Sequence, residues 1–267
     1  IRKNTPLNEI EKRILDQYMH DRKTSKGQTT DYWKNIKEDI NEIKNQLGLN
    51  KYNSISCVFP NLLFDSANHG KHVQYKTMKE WLASTIKFFS SNPSHALVIR
   101  VHPAEVKWPQ VHRDSVLSWI KSEYGKELSQ NIKVIGPFED ISSYALMKMS
   151  DLGLVSTSTT GLEMALIGKP VIVTGKVHYW NKGFTIDPST DDEYHEMLES
   201  ILKQKNVPKL DFELARTYAY HIFFESSFGL KKGTSAPYSI ARDAYFSESV
   251  DTIILSINFA IFATIIL

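Results

Sequence analysis

Short apolar runs alternate with amphipathic segments between residues 54 and 174, and this alternation is the clearest pattern along the chain. The apolar runs predict five strands, at Ser54–Phe59, Ala96–Val101, Ile132–Ile135, Leu152–Val155 and Val171–Thr174. Apolar residues at three- and four-residue spacing predict the helices between them, at Met78–Phe89, Val111–Tyr124, Ser142–Met149 and Leu162–Ile167. Strands that alternate with helices form a parallel sheet whose crossovers cover both faces. We therefore predict an α/β fold with a doubly wound, Rossmann-like parallel sheet.

The two ends of the chain carry different patterns. Residues 1–50 have helical spacing but no strand-forming run, so we predict a helical N-terminal segment followed by a Rossmann-like domain at 51–230. Helices at Asp192–Gln204 and Phe212–Phe224 are expected to pack back across that domain. Residues 231–267 form a C-terminal tail, and its apolar stretch from Thr252 to Leu267 is shorter than the roughly 20 residues that a membrane-spanning helix needs. A buried terminal element and contact with a membrane both remain open for this tail.

Composition narrows the class of protein. The chain has 267 residues, of which 42% are hydrophobic and 23% charged, as in ordinary globular proteins. A net charge of +2 suits ligands that carry phosphate but is too small to indicate nucleic acid as a partner. Cys57 is the only cysteine, so an internal disulfide is excluded, and its apolar strand favours a buried thiol over a nucleophile. A single cysteine without a signal peptide leads us to expect the reducing cytoplasm.

Two polar elements directly follow predicted strands. Ser156-Thr157-Ser158-Thr159-Thr160-Gly161 lies between a strand and a helix, and His102-Pro103 follows the strand Ala96–Val101. Taken singly, the hydroxyl residues could be helix caps and the His-Pro pair a turn. The carboxyl ends of parallel strands meet at one edge, where open α/β sheets bind ligands, and amides at a helix start suit phosphate. Together the two elements favour a phosphate-binding site at that edge.

Several widespread motifs are missing from the sequence. The first strand is followed by Phe59-Pro60-Asn61 rather than by Gly-x-Gly-x-x-Gly, which argues against a nicotinamide or flavin dehydrogenase. Walker A and Gly-x-Ser-x-Gly sequences are absent as well, which argues against P-loop hydrolysis and an α/β-hydrolase nucleophile. Neither a zinc-type spacing of cysteine and histidine nor an Asp-x-Asp pair occurs, so we predict no metal site and no cofactor.

Five segments follow one another in a characteristic order. They are Phe59-Pro-Asn-Leu-Leu-Phe-Asp65, Arg100-Val-His-Pro-Ala-Glu105, Ser156-Thr-Ser-Thr-Thr-Gly-Leu-Glu163, Gly168-Lys-Pro-Val-Ile172 and Gly175-Lys-Val-His-Tyr-Trp-Asn-Lys-Gly-Phe-Thr185. Together they resemble the capsule polysaccharide biosynthesis proteins of Gram-negative bacteria, which are GT-B glycosyltransferases, several of which transfer Kdo from CMP-Kdo. GT-B sialyltransferases, which also use CMP-sugars, share a His-Pro element and a serine element. The resemblance spans Ser54 to Phe224 and implies the donor-binding C-terminal half of a two-Rossmann enzyme, so the N-terminal GT-B half is expected to be missing from this chain.

The resemblance implies roles for residues in these segments. His102 is the candidate catalytic residue, because a near-neutral imidazole can donate a hydrogen bond or a proton to the departing CMP phosphate. Pro103 and Glu105 complete its motif, and Arg100, two positions earlier on the same side of the strand, could support the phosphate site. The other implied donor-binding residues are Ser156, Thr157, Ser158, Thr159, Thr160, Gly161, Glu163, Gly175, Tyr179, Gly183 and Thr185.

For three side chains, the sequence is compatible with two roles each. Glu163, in the first turn of a helix, could stabilise the helix dipole or bind a ribose hydroxyl. Tyr179 could stack on or hydrogen-bond to a ligand, or be an ordinary packed tyrosine. Asp65 could contact the ligand or cap a turn. Five other histidines lack partner spacing and are expected at the surface: His69, His72, His95, His112 and His195.

We therefore expect a glycosyltransferase, or its nucleotide-sugar-binding half, that transfers an acidic sugar such as Kdo from a CMP-sugar to a glycan or glycolipid acceptor in capsule or surface polysaccharide biosynthesis. The expected location is the cytoplasm, with peripheral association at the inner face of the membrane left open. Two alternatives remain: a polyol-phosphate transferase of teichoic-acid type, and a non-catalytic nucleotide-sugar-binding scaffold. If the chain holds only the donor half, it is expected to bind the donor with little or no transfer on its own.

Overall fold

The fold is seen in a computed structural model that describes residues 5–23, 36–63, 70–106, 115–203 and 208–225. The chain divides into two compact units, one made of residues 1–34 with 211–267 and the other of residues 35–210. The first part of the helix predicted from Val111, the acidic side chain of Asp65 and the tail at 231–267 lie outside the described residues.

A five-stranded parallel sheet forms the centre of the second unit. Its strands are β1 (Ser54–Val58), β2 (His95–Arg100), β3 (Ile132–Ile135), β4 (Leu152–Val155) and β5 (Val171–Val173), in the spatial order β3-β2-β1-β4-β5. All four neighbouring pairs are parallel. This arrangement confirms the predicted doubly wound α/β fold, and the strand ends lie within one residue of those predicted. The chain builds outward from β1 to β3 and then crosses back to β4, so the strand order reverses between β1 and β4.

Helices cover both faces of this sheet. Helices α3 (Met78–Ser91), α4 (Val116–Glu123) and α7 (Asp191–Leu202) share one buried apolar cluster with alternate strand residues such as Leu97, Leu152 and Leu154. On the other face, α5 (Ser143–Met149) meets β1 where the Cys57 thiol lies 3.6 Å from the Leu146 carbonyl oxygen. Helix α6 (Thr160–Leu166) approaches β4 closely because Gly153 has no side chain, and Met164 fills that space. Helix α2 (Ile40–Leu47) contacts α5.

The helix starts are set by side chains that accept hydrogen bonds from backbone amides of the first turn. Thr77, Ser115, Ser142 and Thr190 do this for α3, α4, α5 and α7, as expected for Ser and Thr at the N-cap position. Helix α6 is different, because its N-cap residue Thr159 makes no such bond. The first turn of α6 therefore has amides that other groups must satisfy.

The first unit contains two of the described helices, α1 (Glu9–Lys23) and α8 (Phe212–Tyr220). Arg216 Nη2 donates to Asp16 Oδ1 over 2.6 Å, and the Tyr18 ring contacts the Phe223 ring at a centroid distance of 4.8 Å. Helix α2 groups with the sheet unit, so the compact units differ from the division that the sequence predicts at residue 50. No helix within the described ranges combines the length and the apolar character needed to cross a membrane.

Candidate functional site

The candidate site lies where the strand order reverses, at the carboxyl ends of β1 and β4. Open α/β sheets bind ligands at such a switch point, because the connections after the two strands diverge there. Phe59–Asn61 follows β1, and Ser156–Thr160, which we call the hydroxyl loop, follows β4. The Phe59 amide donates to the Leu154 carbonyl over 3.0 Å, and Asn61 Nδ2 lies 3.5 Å from Thr157 Oγ1. The two connections are therefore in contact at the edge where the sequence predicts the site.

His102 stands one strand away, directly after β2. Its Nδ1 accepts a hydrogen bond from the Ala104 amide over 3.1 Å, so Nδ1 of the neutral ring is unprotonated and Nε2 carries the proton. The ring is half-buried. The fold thus selects the tautomer that presents an N–H donor on the far side of the ring. Because β1 lies between β2 and β4, two strand spacings, or about 10 Å, separate the ends that carry His102 and the hydroxyl loop.

Glu105 and Pro103 belong to the turn that holds His102. Pro103–Val106 forms a turn of 3₁₀ helix, and the Glu105 amide donates to the His102 carbonyl over 3.0 Å. Glu105 is only 4% exposed, and its Oε1 accepts from the Val116 amide at the start of α4 over 2.8 Å. A carboxylate at a helix N-terminus is favourable for the dipole as well as for the hydrogen bond. Glu105 therefore ties the His102 turn to α4.

Arg100 is almost completely buried, with 2% of its surface exposed. Its guanidinium donates to the carbonyl of Gly136 over 2.6 Å and to that of Glu139 over 3.3 Å. Burial lowers the pKa of Arg100 to about 10, and the nearby charge of Glu139 partly offsets this. The side chain holds the loop after β3 in place. That loop carries Phe138 at the carboxyl edge, with 78% of its surface exposed.

The hydroxyl loop is closely packed at its start and open in its middle. Ser156 and Thr157 are 1% and 7% exposed, Ser158 and Thr160 are half-buried, and Thr159 is exposed. Ser158 Oγ accepts from the Thr160 amide over 3.2 Å and donates to Thr160 Oγ1 over 2.9 Å. The loop therefore presents hydroxyl groups at the switch point while Ser158 stabilises the helix start from within the loop.

Tyr179 occupies the place where the sequence predicts phosphate-binding amides. The phenol is fully buried, donates to the Ser158 carbonyl and interacts with the backbone amides of Gly161 and Leu162. A side chain at Gly161 would overlap the phenol oxygen, so glycine is required for this packing. Burial first, and then the charges of Asp187 and Glu163, raise the pKa of Tyr179. The structure thus gives Tyr179 the role of an ordinary packed tyrosine that satisfies the first turn of α6.

Glu163 is buried beside this phenol, with 7% of its surface exposed. This position in the first turn of α6 agrees with an interaction with the helix dipole. Little of the Glu163 surface is exposed, and contact with a ribose hydroxyl stays a prediction.

The loop after β5 borders the hydroxyl loop on its other side. A Cβ added at Gly175 would lie 2.9 Å from Ser156 Oγ and 3.0 Å from Thr157 Cγ2, so this glycine permits close contact between the two loops. Gly183 adopts a φ of 95°, a left-handed conformation that favours glycine. Thr185 is buried, and its hydroxyl lies 3.0 and 2.9 Å from the two carboxylate oxygens of Asp187.

The structure therefore gathers most of the predicted residues at one edge but divides their tasks. His102 and the open part of the hydroxyl loop keep partly exposed surface at the carboxyl edge. Buried members such as Arg100, Glu105 and Tyr179 hold the loops on which the ligand-facing groups stand.

Sequence analysis did not assign Asn61, Lys71, Lys176, His178 or Asp187, which lie on the same loops. Burial raises the pKa of Asp187 to about 6, with hydrogen bonds from Thr185 and the Asn181 backbone acting in the opposite direction. His72, expected at the surface, pairs through its backbone with Gly175. Two of the quoted segments gave a signal for some of these residues: Phe59–Asp65 contains Asn61, and Gly175–Thr185 contains Lys176 and His178.

The strand order and the polar loops at the carboxyl edge of the sheet assign the chain to a class of protein. It is a doubly wound α/β protein whose polar loops meet where the strand order reverses. Residues 3–222 match a family model described as "Capsule polysaccharide biosynthesis protein". The chain belongs to this family, which confirms the family predicted from the sequence. A comparison with curated proteins finds no match.

Solved structures provide a second comparison. The chain is similar to KpsC, beta Kdo 2,7 transferase, of Thermosulfurimonas dismutans, with 18% identity and a TM-score of 0.42 over 80% of this chain and 54% of that chain. It is also similar to UDP-GlcNAc 2-epimerase of Neisseria meningitidis bound to UDP-GlcNAc, with 18% identity and a TM-score of 0.42 over 69% of this chain and 47% of that chain. The chain is also similar to the wall teichoic acid polymerase TagF, with 12% identity and a TM-score of 0.39 over 92% of this chain and 51% of that chain. The chain spans about half the length of these structures.

Proposed function

We propose that the sheet unit binds a CMP-activated sugar at its carboxyl edge for transfer to a glycan or glycolipid acceptor. The observation that carries this proposal is the His102 imidazole, whose hydrogen bond from Ala104 assigns the ring proton to Nε2, on the edge that also holds the hydroxyl loop. Membership of the capsule polysaccharide biosynthesis family supports a role in surface polysaccharide. The resemblance to Kdo transferases favours an acidic sugar such as Kdo.

In the proposed transfer, an acceptor hydroxyl oxygen bonds to the anomeric carbon while the bond from that carbon to the phosphate oxygen breaks. CMP departs with the electron pair of the broken bond, so negative charge develops on its phosphate. The Nε2–H of His102 stabilises that charge as a preorganised hydrogen-bond donor, and the ring keeps its proton. The proton of the acceptor hydroxyl passes to a base, which we assign, on the family resemblance, to the acceptor-binding half.

Within the hydroxyl loop, we assign the phosphate contacts to side chains rather than to the first amides of α6. Tyr179 already interacts with the amides of Gly161 and Leu162, so these donors are not directed at a ligand. Thr159 is exposed and Thr160 is half-buried, and both follow the contact between Thr157 and Asn61 at the switch point. A hydroxyl can donate to phosphate oxygen without a cost in backbone rearrangement.

Nucleotide binding is the first test. Thermal unfolding of the chain is followed with CMP, CDP, UMP and UDP, and the affinities are measured by calorimetry. A ligand at 100 times its Kd stabilises the folded state by about 2.7 kcal/mol, so we expect a clear rise in Tm with CMP and smaller rises with the uridine nucleotides. Stabilisation by CDP without any response to CMP would favour the polyol-phosphate transferase, and no response to any nucleotide would favour the scaffold.

Variants of His102 test its proposed role as a hydrogen-bond donor to the phosphate. His102→Ala removes the donor and is expected to weaken CMP binding about tenfold, because hydrogen bonds to charged groups contribute about 1.5–3 kcal/mol. His102→Gln keeps an N–H donor and should retain most of the affinity. In the intact enzyme with CMP-Kdo and a lipid-linked acceptor analogue, His102→Ala should lower transfer about 10²-fold, because the donor to the departing phosphate is lost, and His102→Gln should lower transfer less.

His95 supplies a matched control, since it begins the same strand at the opposite edge and its Nδ1 lies 2.7 Å from Ser54 Oγ. His95→Gln should leave nucleotide affinity unchanged. Equal losses from the His95 and His102 variants, or CMP binding that is insensitive to both, would contradict the proposed site.

A further inference from the structure

The loop after β1 and the loop after β5 pair with each other at the carboxyl edge, and this pairing places Lys71 and Lys176 at opposite positions. His72, in the connection from β1 to α3, forms an antiparallel bridge with Gly175, which follows β5. The Lys176 amide donates to the Lys71 carbonyl over 2.7 Å. This register sets Lys71 directly opposite Lys176, where the Cβ atoms of paired residues are about 5 Å apart on the same face.

Both lysines are exposed, and neither has a carboxylate partner among the residues that the structure describes. Like charges placed directly opposite each other in an antiparallel pair destabilise it. His178, two residues further on, experiences the same field, because desolvation first and then the charge of Lys71 lower its pKa. Asp187 is the acidic residue of this loop, yet burial dominates its raised pKa and its two hydrogen bonds come from Thr185 and Asn181 rather than from a lysine.

Lys71 and Lys176, which we call the cationic rim, lie next to the hydroxyl loop. Gly175 connects them to it, because the position of its absent Cβ is 3.0 Å from the Ser156 carbonyl oxygen and from Thr157 Cγ2. The rim is on the β5 side of the switch point, whereas His102 is on the β2 side. A ligand that places one phosphate between His102 and the hydroxyl loop would therefore extend its next group toward the rim.

We propose that the cationic rim is a subsite for a second anionic group, a carboxylate or a phosphate, of the ligand held at the switch point. The proposal rests on the proposed function for the position of the first phosphate. An anion between Lys71 and Lys176 removes their mutual repulsion and accepts charge-assisted hydrogen bonds from both ammonium groups. The rim thereby selects ligands with two negative centres over nucleoside monophosphates.

Calorimetry on the full chain tests this with four probes. CMP has the nucleotide phosphate alone, CDP adds a phosphate, CMP-N-acetylneuraminate adds a carboxylate, and inorganic pyrophosphate has two phosphates and no nucleoside. Lys71→Ala and Lys176→Ala should each raise the Kd of a two-anion probe about fivefold to tenfold while changing the Kd of CMP by less than about twofold. Lys176→Arg should retain affinity, and the matched control Lys126→Ala, in the turn between α4 and β3 at the opposite edge, should have no effect.

The probe that loses affinity identifies the anion, with CDP indicating a phosphate and CMP-N-acetylneuraminate a carboxylate. Equal weakening of CMP and of the two-anion probes, or no change with either, would overturn the rim as a second subsite while leaving CMP binding to support the proposed function. If CMP fails to bind, the proposed function fails, and the pyrophosphate titration tests the rim on its own. Pyrophosphate binding that both lysine variants weaken supports the rim as an anion subsite. Absence of pyrophosphate binding refutes it.

Discussion

Gly161 gives the most direct test of how the start of α6 is built. Replacing it with alanine adds a Cβ that overlaps the Tyr179 phenol oxygen and lies 2.9 Å from Val155 Cγ2 and 3.0 Å from Tyr179 Cζ. Carbon atoms in contact prefer about 3.5–4.0 Å, so a fully buried ring must move. Alanine is otherwise the better helix former, and only this contact can make the change unfavourable.

The magnitude follows from three terms. Overpacking of a core position costs about 1–3 kcal/mol, and displacing the phenol from the Ser158 carbonyl and the α6 amides leaves buried polar groups unsatisfied at about 1–3 kcal/mol. Replacing glycine within a helix returns up to about 1 kcal/mol. We expect Gly161→Ala to lower the free energy of unfolding by about 2–4 kcal/mol.

Urea unfolding followed by tryptophan fluorescence measures this change, since the chain has five tryptophans. Gly136→Ala is the matched control, because its Cβ would make ordinary contacts of 3.5 and 3.6 Å and its stability should change by less than about 0.5 kcal/mol. Tyr179→Phe removes the overlapping oxygen, so the double variant should be more stable than the sum of the single changes predicts, by about 1 kcal/mol or more. Strict additivity, or a Gly161→Ala protein as stable as the parent, would refute the packing argument.

Three further predictions concern single side chains. Asp187→Asn should flatten the pH dependence of stability. Because the pKa of Asp187 is raised, the folded protein binds this proton more tightly than the unfolded chain does. The free energy of unfolding of the parent therefore falls by about 2 kcal/mol as pH rises from about 4.5 to 7.5, whereas that of the Asn variant does not. Glu105→Ala should cost about 1–3 kcal/mol of stability and weaken CMP binding severalfold, because the turn that carries His102 loses its attachment to α4. Phe138→Ala should leave stability unchanged but weaken nucleotide binding about tenfold, as expected when an exposed ring stacks on a base.

Each of these has its own control. Stability curves at several pH values should show the Asp187 effect between the ordinary carboxyl pKa and about 6; parallel curves for parent and variant would refute it. Glu105→Gln keeps an acceptor for the Val116 amide and should restore most of the CMP affinity, whereas equal losses from Gln and Ala would point to charge instead. Ile167→Ala, which removes a 43%-exposed apolar side chain before β5, should not alter nucleotide binding.

Local patterns in the sequence were sufficient to predict the strands of the sheet. Runs such as Ala96–Val101 and Leu152–Val155 are apolar throughout because a parallel strand is covered on both faces, and helices between them carry clear apolar spacing. The hydroxyl loop and His102 were found because each directly follows such a run. The central position of β1 was not available from these patterns, since strand order depends on which side each crossover takes.

Features of the site that depend on distant contacts could not be predicted. Tyr179 reaches the start of α6 from a later loop, and Lys71 meets Lys176 from the other side of the switch point. A tyrosine or lysine has the same local sequence signal whether it packs, binds or faces solvent. The burial of Arg100 is a similar case, because its charge suggested ligand contact and its partners are loop carbonyls.

Cys57 gives the protein a native reporter of how its sheet opens. It is the only cysteine, lies on the central strand with no exposed surface, and has a pKa that burial raises. Thiol reagents react with the thiolate of an accessible cysteine, so alkylation at this position has to wait for the strand to separate from its cover. The rate of alkylation therefore reads out that opening without any engineered label. The same protection means that a cysteine introduced on a surface loop can be modified selectively with a fluorophore while the native thiol stays intact.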